Sequence, residues 1–366
     1  MWEPTGVCGI PRKILNISGV NYKKTIIIMA QENTLPCTRA ICYSGYRDGQ
    51  DPSGEILPTY GQVKQDLMIL EGQWQSLRLY ASDNHSDTIM NVIKSENLSF
   101  DVMLGAYITA EQNNPHCPWG GVYSDEQLAK NVEHNQVQID RLISMANSYP
   151  DIVSCVSIGN EAAVGWTDHL VPTDRLITYS KQVKSSVKQP VTFCENYVPW
   201  IEALKPLAEE LDIISIHTYP VWEYKNIQEG LAYTIENYEA VKSVYPNKQV
   251  IITEAGWATK SNGRGIEPDN VDELMQQQYL SELMDWAEKN QVLVYFFEAF
   301  DENWKGSDDP LEPEKHWGIY NDVGHASAEK RNQTEMMLRS FISRCVGTVK
   351  SHTCTVKSAK RRLPEG

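Results

Sequence analysis

From Pro36 onward, short apolar runs rich in β-branched residues alternate with longer stretches whose apolar positions recur every three to four residues. A run of the first kind reads as a buried strand and a stripe of the second kind as a surface helix, so the alternation predicts parallel βα units. Strands are expected near Arg39–Tyr43, Ser76–Tyr80, Asp101–Ala106, Val153–Ile158, Val191–Glu195, Ile213–His217, Gln249–Thr253 and Val292–Phe297. Eight such units are the number that closes an α/β (β/α)8 TIM barrel.

The intervening stretches carry helix signals. Tyr60–Leu70 places Val63, Leu67 and Leu70 on one stripe. Ser124, followed by Asp125 and Glu126, reads as an N-cap with an acidic first turn. Asp174, Asn226 and Asn270 are expected to open helices in the same way. Residues 1–35 fall outside the repeat and are expected to form an N-terminal extension, with Thr25–Ala30 as a strand. Residues 36–343 then make the barrel and 344–366 a C-terminal tail. No Pro-, Gly- or Ser-rich linker divides the barrel region, which predicts a single domain with short extensions.

Composition narrows the picture. An apolar fraction of 41% over 366 residues fills one large core. A net charge of −15 argues against a nucleic-acid surface, and the basic stretch Lys357–Arg362 reads as a solvated end. No apolar run reaches membrane-spanning length, and Thr25–Ala30 is too short and too internal for a secretory leader. The eight cysteines are Cys8, Cys37, Cys42, Cys117, Cys155, Cys194, Cys345 and Cys354. Cys155 and Cys194 lie in predicted strands as small buried hydrophobes, while Cys345 and Cys354 are spaced to close a local loop in an oxidising compartment. Glycosylation sequons at Asn16, Asn84, Asn97 and Asn332 fit a secreted, cell-wall or periplasmic protein. The histidines are scattered without H-E-x-x-H, and no clustered Cys/His spacing is present, so neither metal nor cofactor is expected. His217 is singled out, because its place at the sixth strand end predicts a substrate-positioning role.

Two glutamates carry the chemistry. Glu161 closes Val153-Ser-Cys-Val-Ser-Ile-Gly-Asn-Glu161 and Glu254 closes the strand of Val250-Ile-Ile-Thr-Glu-Ala-Gly-Trp257. Glutamate is almost never buried unpaired, so a carboxylate just past a buried strand needs a reason beyond folding. On the fourth and seventh strands they face each other across the barrel mouth, as acid and nucleophile for a glycosidic bond would. Sugar rings call for aromatic platforms beside polar groups, and the strand ends supply Tyr43, Arg78, Tyr80, Asn160, Asn196, His217, Tyr219, Trp257, Phe297, Glu298, Glu302, Trp304 and Lys305. Asn160 is placed to bind a hydroxyl next to the reacting carbon, and Arg78 and Lys305 are expected to keep Glu254 ionised.

Ile158-Gly-Asn-Glu161, Ile252-Thr-Glu-Ala-Gly-Trp257, Tyr295–Lys305 and His316-Trp-Gly-Ile-Tyr320 together resemble glycoside hydrolase family 17, over roughly Pro36 to Phe341. Ala40-Ile-Cys-Tyr-Ser-Gly-Tyr46 and Arg78-Leu-Tyr80 are similar to its microbial branch. The resemblance implies a β-1,3-glucanase or glucanosyltransferase on a (β/α)8 barrel, with β-glucan as partner. It implies Glu161 as general acid/base, Glu254 as nucleophile, and Glu302 with Lys305 as a polar pair on the nucleophile's side. It also implies Tyr43, Tyr219 and Phe297 as glycone-subsite residues; Trp257, Trp304 and the Tyr107 region are added from aromatic stacking. A longer loop, Thr109–Val122, is expected to block one end of a groove and to turn endo- into exo-cleavage. Three readings follow: a retaining β-1,3-glucan (laminarin-type) hydrolase, a glucanosyltransferase using the same glutamates with Trp119, Trp222 and Trp304 as acceptor platforms, and a non-catalytic glucan-binding barrel.

Overall fold

The computed structural model of the chain describes residues 34–54 and 56–320. The expected extension, the tail, the Thr25–Ala30 strand, the Cys345/Cys354 loop and the sequons at Asn16 and Asn332 lie outside these residues, Thr34 and Leu35 apart.

The strands are β1 (Arg39–Cys42), β2 (Ser76–Leu79), β3 (Asp101–Gly105), β4 (Val153–Asn160), β5 (Val191–Asn196), β6 (Ile213–His217), β7 (Gln249–Ala255) and β8 (Val294–Phe296). They pair in chain order, all parallel, and β8 returns to β1, closing the eight-stranded barrel. Around it lie α1 (Tyr60–Leu70), α2 (Asn84–Ser95), α3 (Asp125–Ser148), α4 (Thr173–Lys184), α5 (Tyr197–Ile201), α6 (Lys205–Glu210), α7 (Ile227–Val244) and α8 (Glu273–Asn290). Strands covered on both faces need no polar alternation, which is why they read as continuous apolar runs.

The helix starts follow the side chains that can accept the orphan N–H groups of a first turn. Ser124 accepts from Gln127 N, and Asn226 caps α7 in a reciprocal box with Glu229. Two expected starts are corrected. Pro172, with its fixed φ, precedes Thr173 at the start of α4, so Asp174 sits inside the first turn, where its charge meets the helix dipole. Asn270 ends the short 3-10 turn Pro268–Asn270, and Asp272 caps α8 by accepting from Met275 N.

The barrel centre is lined with sulfur as well as hydrocarbon. Cys155 and Cys194 are fully buried, as their strand positions predict. Cys194 Sγ lies 4.0 Å from Met103 Sδ, and Cys42 Sγ reaches across to Thr253 O at 3.3 Å. Small polarisable side chains suit a narrow barrel interior, where a branched residue would strain the opposite wall.

At the C-terminal rim, β7 and β8 run so close that a side chain would not fit between them. A Cβ on Gly256 would stand 2.1 Å from the carbonyl oxygen of Phe297. The obstacle is backbone and cannot rotate away, and Gly256 lies two residues past Glu254. Gly256→Ala is therefore expected to lower the unfolding free energy by about 1–3 kcal/mol, read by denaturant titration; a wild-type midpoint would show that the two strand ends are free to separate.

Candidate active site

Register brings the polar residues together. Asn196 of β5 lies opposite His217 of β6, and His217 opposite Glu254 of β7. Glu161 follows β4 directly, and its φ of 45° puts it in the left-handed region, which costs a non-glycine residue about 1–3 kcal/mol. Its own N–H is held by Cys194 O at 2.9 Å. The loop beyond is held by Glu195, whose Oε2 accepts from Ala163 N (2.8 Å) and Val164 N (3.1 Å) while Oε1 accepts from Asn196 N (2.7 Å).

The two glutamates differ in their surroundings. The Glu254 side chain is 7% exposed and that of Glu161 34%. Glu254 Oε1 pairs with the buried guanidinium of Arg78, and Oε2 accepts from Tyr219 Oη at 2.5 Å. Glu161 Oε1 lies 2.8 Å from His217 Nδ1, which is also 3.5 Å from Glu254 Oε2. Ligand atoms of Glu161, His217 and Glu254 all fall within 4.8 Å of one another.

Burial works against the charge on Glu254, but the cations of His217 and Arg78 and the hydrogen bonds from Tyr219 and Arg78 hold its carboxyl down at about 2. Burial likewise opposes charge on His217, yet Glu254, the Cys194 thiol and Glu161 push it up to about 10. Such a cluster of donors resembles a metal centre. Here, however, two cations already stand among the carboxylates, the guanidinium of Arg78 and the proton-bearing ring of His217, and they oppose a third.

Arg78 organises the mouth. Its Nη1 also donates to Thr253 O at 3.1 Å, and its Nη2 donates to Asn160 Oδ1, joining β2, β4 and β7. The bond to Oδ1 fixes which way the Asn160 amide faces and leaves the Nδ2 protons for a ligand. Tyr80 lies under the guanidinium, 4.4 Å from ring centroid to Cζ. Tyr219 packs edge-on against Phe297 and Trp317, at 5.7 and 5.1 Å between centroids. Trp304 remains exposed at the rim, edge-on to Tyr46.

Several expected site residues lie elsewhere or act differently. Lys305 does not neighbour Glu254: its Nζ is 2.6 Å from both Glu298 oxygens and 2.9 Å from Glu302 Oε2. Glu302 also accepts from Ser44 Oγ (2.6 Å) and Tyr46 N (3.2 Å), so this trio ties the β8 end to the β1 loop. Trp257 is fully buried, packed on Tyr279 of α8, with Nε1 donating to Asn270 O, and offers no face to a sugar. Tyr43 turns its hydroxyl to Asp66 of α1 at 3.1 Å, away from the glutamates. Asn196 accepts from Val198 N as the cap of α5. His217, expected to position substrate, places Nδ1 2.8 Å from Glu161 Oε1 and 3.5 Å from Glu254 Oε2.

Three residues escaped sequence reasoning. Glu195 was visible only as a polar residue at a strand end. Glu314, two residues before the His316-Trp317-Gly318 motif, is pushed up to about 7 by burial and by the charges of Glu161 and Glu254, with Lys305 opposing. His169, which has no sequence signal, contacts Asn160 O through Nε2 at 2.9 Å and Asp168 through Nδ1 at 2.7 Å.

Removing the Tyr219 hydroxyl tests the electrostatics. Glu254 titrates lower in the folded chain than in the unfolded one, so its charge stabilises the fold above the ordinary carboxylate range, and that contribution is lost as pH falls toward 2. Tyr219→Phe should cost about 1.5–3 kcal/mol at neutral pH, and acid unfolding should begin at higher pH. Urea melts from pH 2 to 7 that superimpose on wild type would refute the hydrogen bond's role.

Comparison with known proteins places this geometry. A model of the BtgE/BtgC glycoside hydrolase domain matches residues 40–318. The glucan endo-1,3-beta-glucosidase btgC of Emericella nidulans is 24% identical over 270 residues, covering 68% of this chain and 38% of that protein. The chain thus spans well under half the length of the btgC relatives it matches. An endo-laminarinase from Formosa Hel1_33_131 has a similar fold, with a TM-score of 0.68 at 24% identity, covering 84% of this chain and 87% of that one. A glycoside hydrolase family 17 beta-1,3-glucanosyltransferase from Rhizomucor miehei gives 0.61 at 18% identity, covering 82% and 97%.

Proposed function

The chain belongs to the BtgE/BtgC glycoside hydrolase family, and from that premise we propose that it cleaves β-1,3-glucan by double displacement with retention at the anomeric carbon. The observation that carries this reading is the approach of Glu161 and Glu254 oxygens to within 4.8 Å. A retaining pair stands about 5–5.5 Å apart, whereas an inverting pair leaves roughly 6.5–9.5 Å for a water.

Glu254, ionised and held by Arg78 and Tyr219, attacks the anomeric carbon. Glu161, the more exposed of the two, gives its proton to the departing glycosidic oxygen. The C1–O bond breaks, a glycosyl ester forms on Glu254, and the negative charge now rests on Glu161. Glu161 then takes a proton from water, the water oxygen bonds to C1, and Glu254 leaves as carboxylate. Asn160 Nδ2 faces the sugar 2-hydroxyl, where a hydrogen bond strengthens in the transition state.

A transfer reaction, with a sugar hydroxyl replacing water, is supported by one feature. Tyr107, Trp119 and Trp166 are 43%, 59% and 42% exposed. Tyr107 leans on His169, which binds the Asn160 carbonyl beside Glu161. Trp119 belongs to the 109–122 loop, which Asn114 Nδ2 staples to Gly165 O and Thr167 O at 3.0 and 2.8 Å, next to Trp166. Aromatic faces on the proton donor's side suit an acceptor sugar. Trp222 packs at 6.2 Å on Trp317 and contributes less. An extracellular setting fits, since the sequon residues Asn84 and Asn97 are both exposed.

Laminari-oligosaccharides decide between these outcomes. Proton NMR of the first product should show the β-anomer; the α-anomer first would overturn retention. Chromatographic products longer than the starting sugar would identify transfer. Glu254→Ala should lose activity roughly a thousandfold or more, with azide restoring turnover as an α-glycosyl azide. Near-wild-type rates in either Glu161→Ala or Glu254→Ala would reject the assignment.

A further inference from the structure

Glu161 starts from a peptide that is gripped on both sides. Its N–H donates to Cys194 O at 2.9 Å, and the Asn160 carbonyl of the same peptide meets His169 Nε2 at 2.9 Å. Just beyond, the chain turns left-handed, with a φ of 45° at Glu161. Turning the peptide over would carry φ back toward the negative side, where a residue with a Cβ meets no clash. The two hydrogen bonds therefore hold the strained arrangement from which the Glu161 side chain sets out toward the mouth. The Asn160 side chain has a separate hold, on Arg78 Nη2.

The grip on the carbonyl comes from the loop after β4. A carbonyl oxygen only accepts, so His169 Nε2 carries the proton in this contact. On the other side of the ring, Nδ1 lies 2.7 Å from Asp168 Oδ1 and 3.1 Å from Thr167 Oγ1. A bare lone pair that close to a carboxylate oxygen would be repelled, so Nδ1 is protonated as well. The ring is fixed at both nitrogens, and Tyr107, two residues past β3, covers its face at 5.8 Å between centroids. The titratable groups around it are Asp168 on its own loop, Glu161 past β4, Tyr107, and Tyr123, whose hydroxyl donates to the Asp168 carbonyl at 2.9 Å. Burial opposes charge on the ring, but Asp168, the Asn160 carbonyl and Glu161 raise its titration above the ordinary imidazole range.

We propose that His169 is a positioning residue: oriented by Asp168, it holds the Asn160 carbonyl and so aims the Glu161 carboxyl at the departing glycosidic oxygen. The proposal rests on the double-displacement reading above, with Glu161 as the acid. A ring that only stitched the loop to β4 would serve the fold and show no preference among substrates.

Leaving groups separate the two roles. A departing sugar needs the acid's proton, whereas 2,4-dinitrophenolate leaves unaided. Because kcat/KM covers the steps up to the glycosyl ester, it is measured on laminaritetraose and on 2,4-dinitrophenyl β-laminaribioside. His169→Ala is expected to lower the ratio of the two values, natural over aryl, about tenfold or more. His169→Gln, whose Nε2 amide still donates to the Asn160 carbonyl, should return that ratio to within about threefold of wild type. A loss of equal size on both substrates, or no loss on either, overturns the proposal. Glu161→Ala on the same pair should lower the ratio about a hundredfold or more. An unchanged ratio in that variant would count instead against Glu161 as the acid, and so against the reading on which the proposal rests.

A second measurement does not depend on rates. With 15N-labelled histidine, His169 Nε2 should carry a proton from about pH 6 to 8, its resonance identified by its loss in His169→Gln. A ring protonated at Nδ1 alone would release the Asn160 carbonyl and overturn the proposal whatever the activity.

Discussion

A carboxylate can keep its charge inside a protein only if something else in the interior has already been charged to receive it. In this barrel that constraint falls on Arg78. Its guanidinium leaves β2, crosses under the mouth, and binds the Glu254 carboxylate, the Asn160 amide and the Thr253 carbonyl. Three strands distant in sequence thereby meet at one planar group, and only a closed barrel brings them within its span. Arginine suits the position, because a fork of donors fixes the direction of each partner as well as its charge. Tyr80 beneath the guanidinium adds an aromatic face that accepts positive charge.

The rim holds a second ionic cluster, kept apart from the first. Lys305 is committed to Glu298 and Glu302, where burial opposes its charge and the two carboxylates restore it. Glu302 passes the connection on to Ser44 and Tyr46. The division leaves the proton balance of the glutamate pair to Arg78, His217 and Tyr219. Lys305 fastens the last strand end to the first loop, next to Trp304.

Much of this was legible in the sequence, for a physical reason. A strand buried on both faces must be apolar throughout its length, so its limits show as the points where polarity returns. That placed all eight strands and put Glu161 and Glu254 at opposite walls. What was not legible is the direction of a side chain once the strand has ended. Along a strand direction alternates with a period of two, but at Glu161 the backbone turns left-handed, and at Gly256 it squeezes past Phe297. Beyond such bends the period carries no information. Trp257, Tyr43 and Lys305 all lie past a strand end, and each turns to a neighbour that the linear pattern does not name. The misplaced starts at Asp174 and Asn270 have a similar origin, since Pro172 and Asp272 compete for the role within two residues.

Glu195 grips the loop after Glu161 through backbone N–H groups, at Ala163 and Val164, while its other oxygen accepts from its own neighbour Asn196 N. Every residue but proline offers that donor. The grip at 163 and 164 is therefore indifferent to which side chains the loop carries there, and it comes from a carboxylate one strand away. Related chains could diversify this stretch of the rim, and with it what the rim touches, without re-aiming the acid, so long as Glu195 stays and proline is kept out of those two positions.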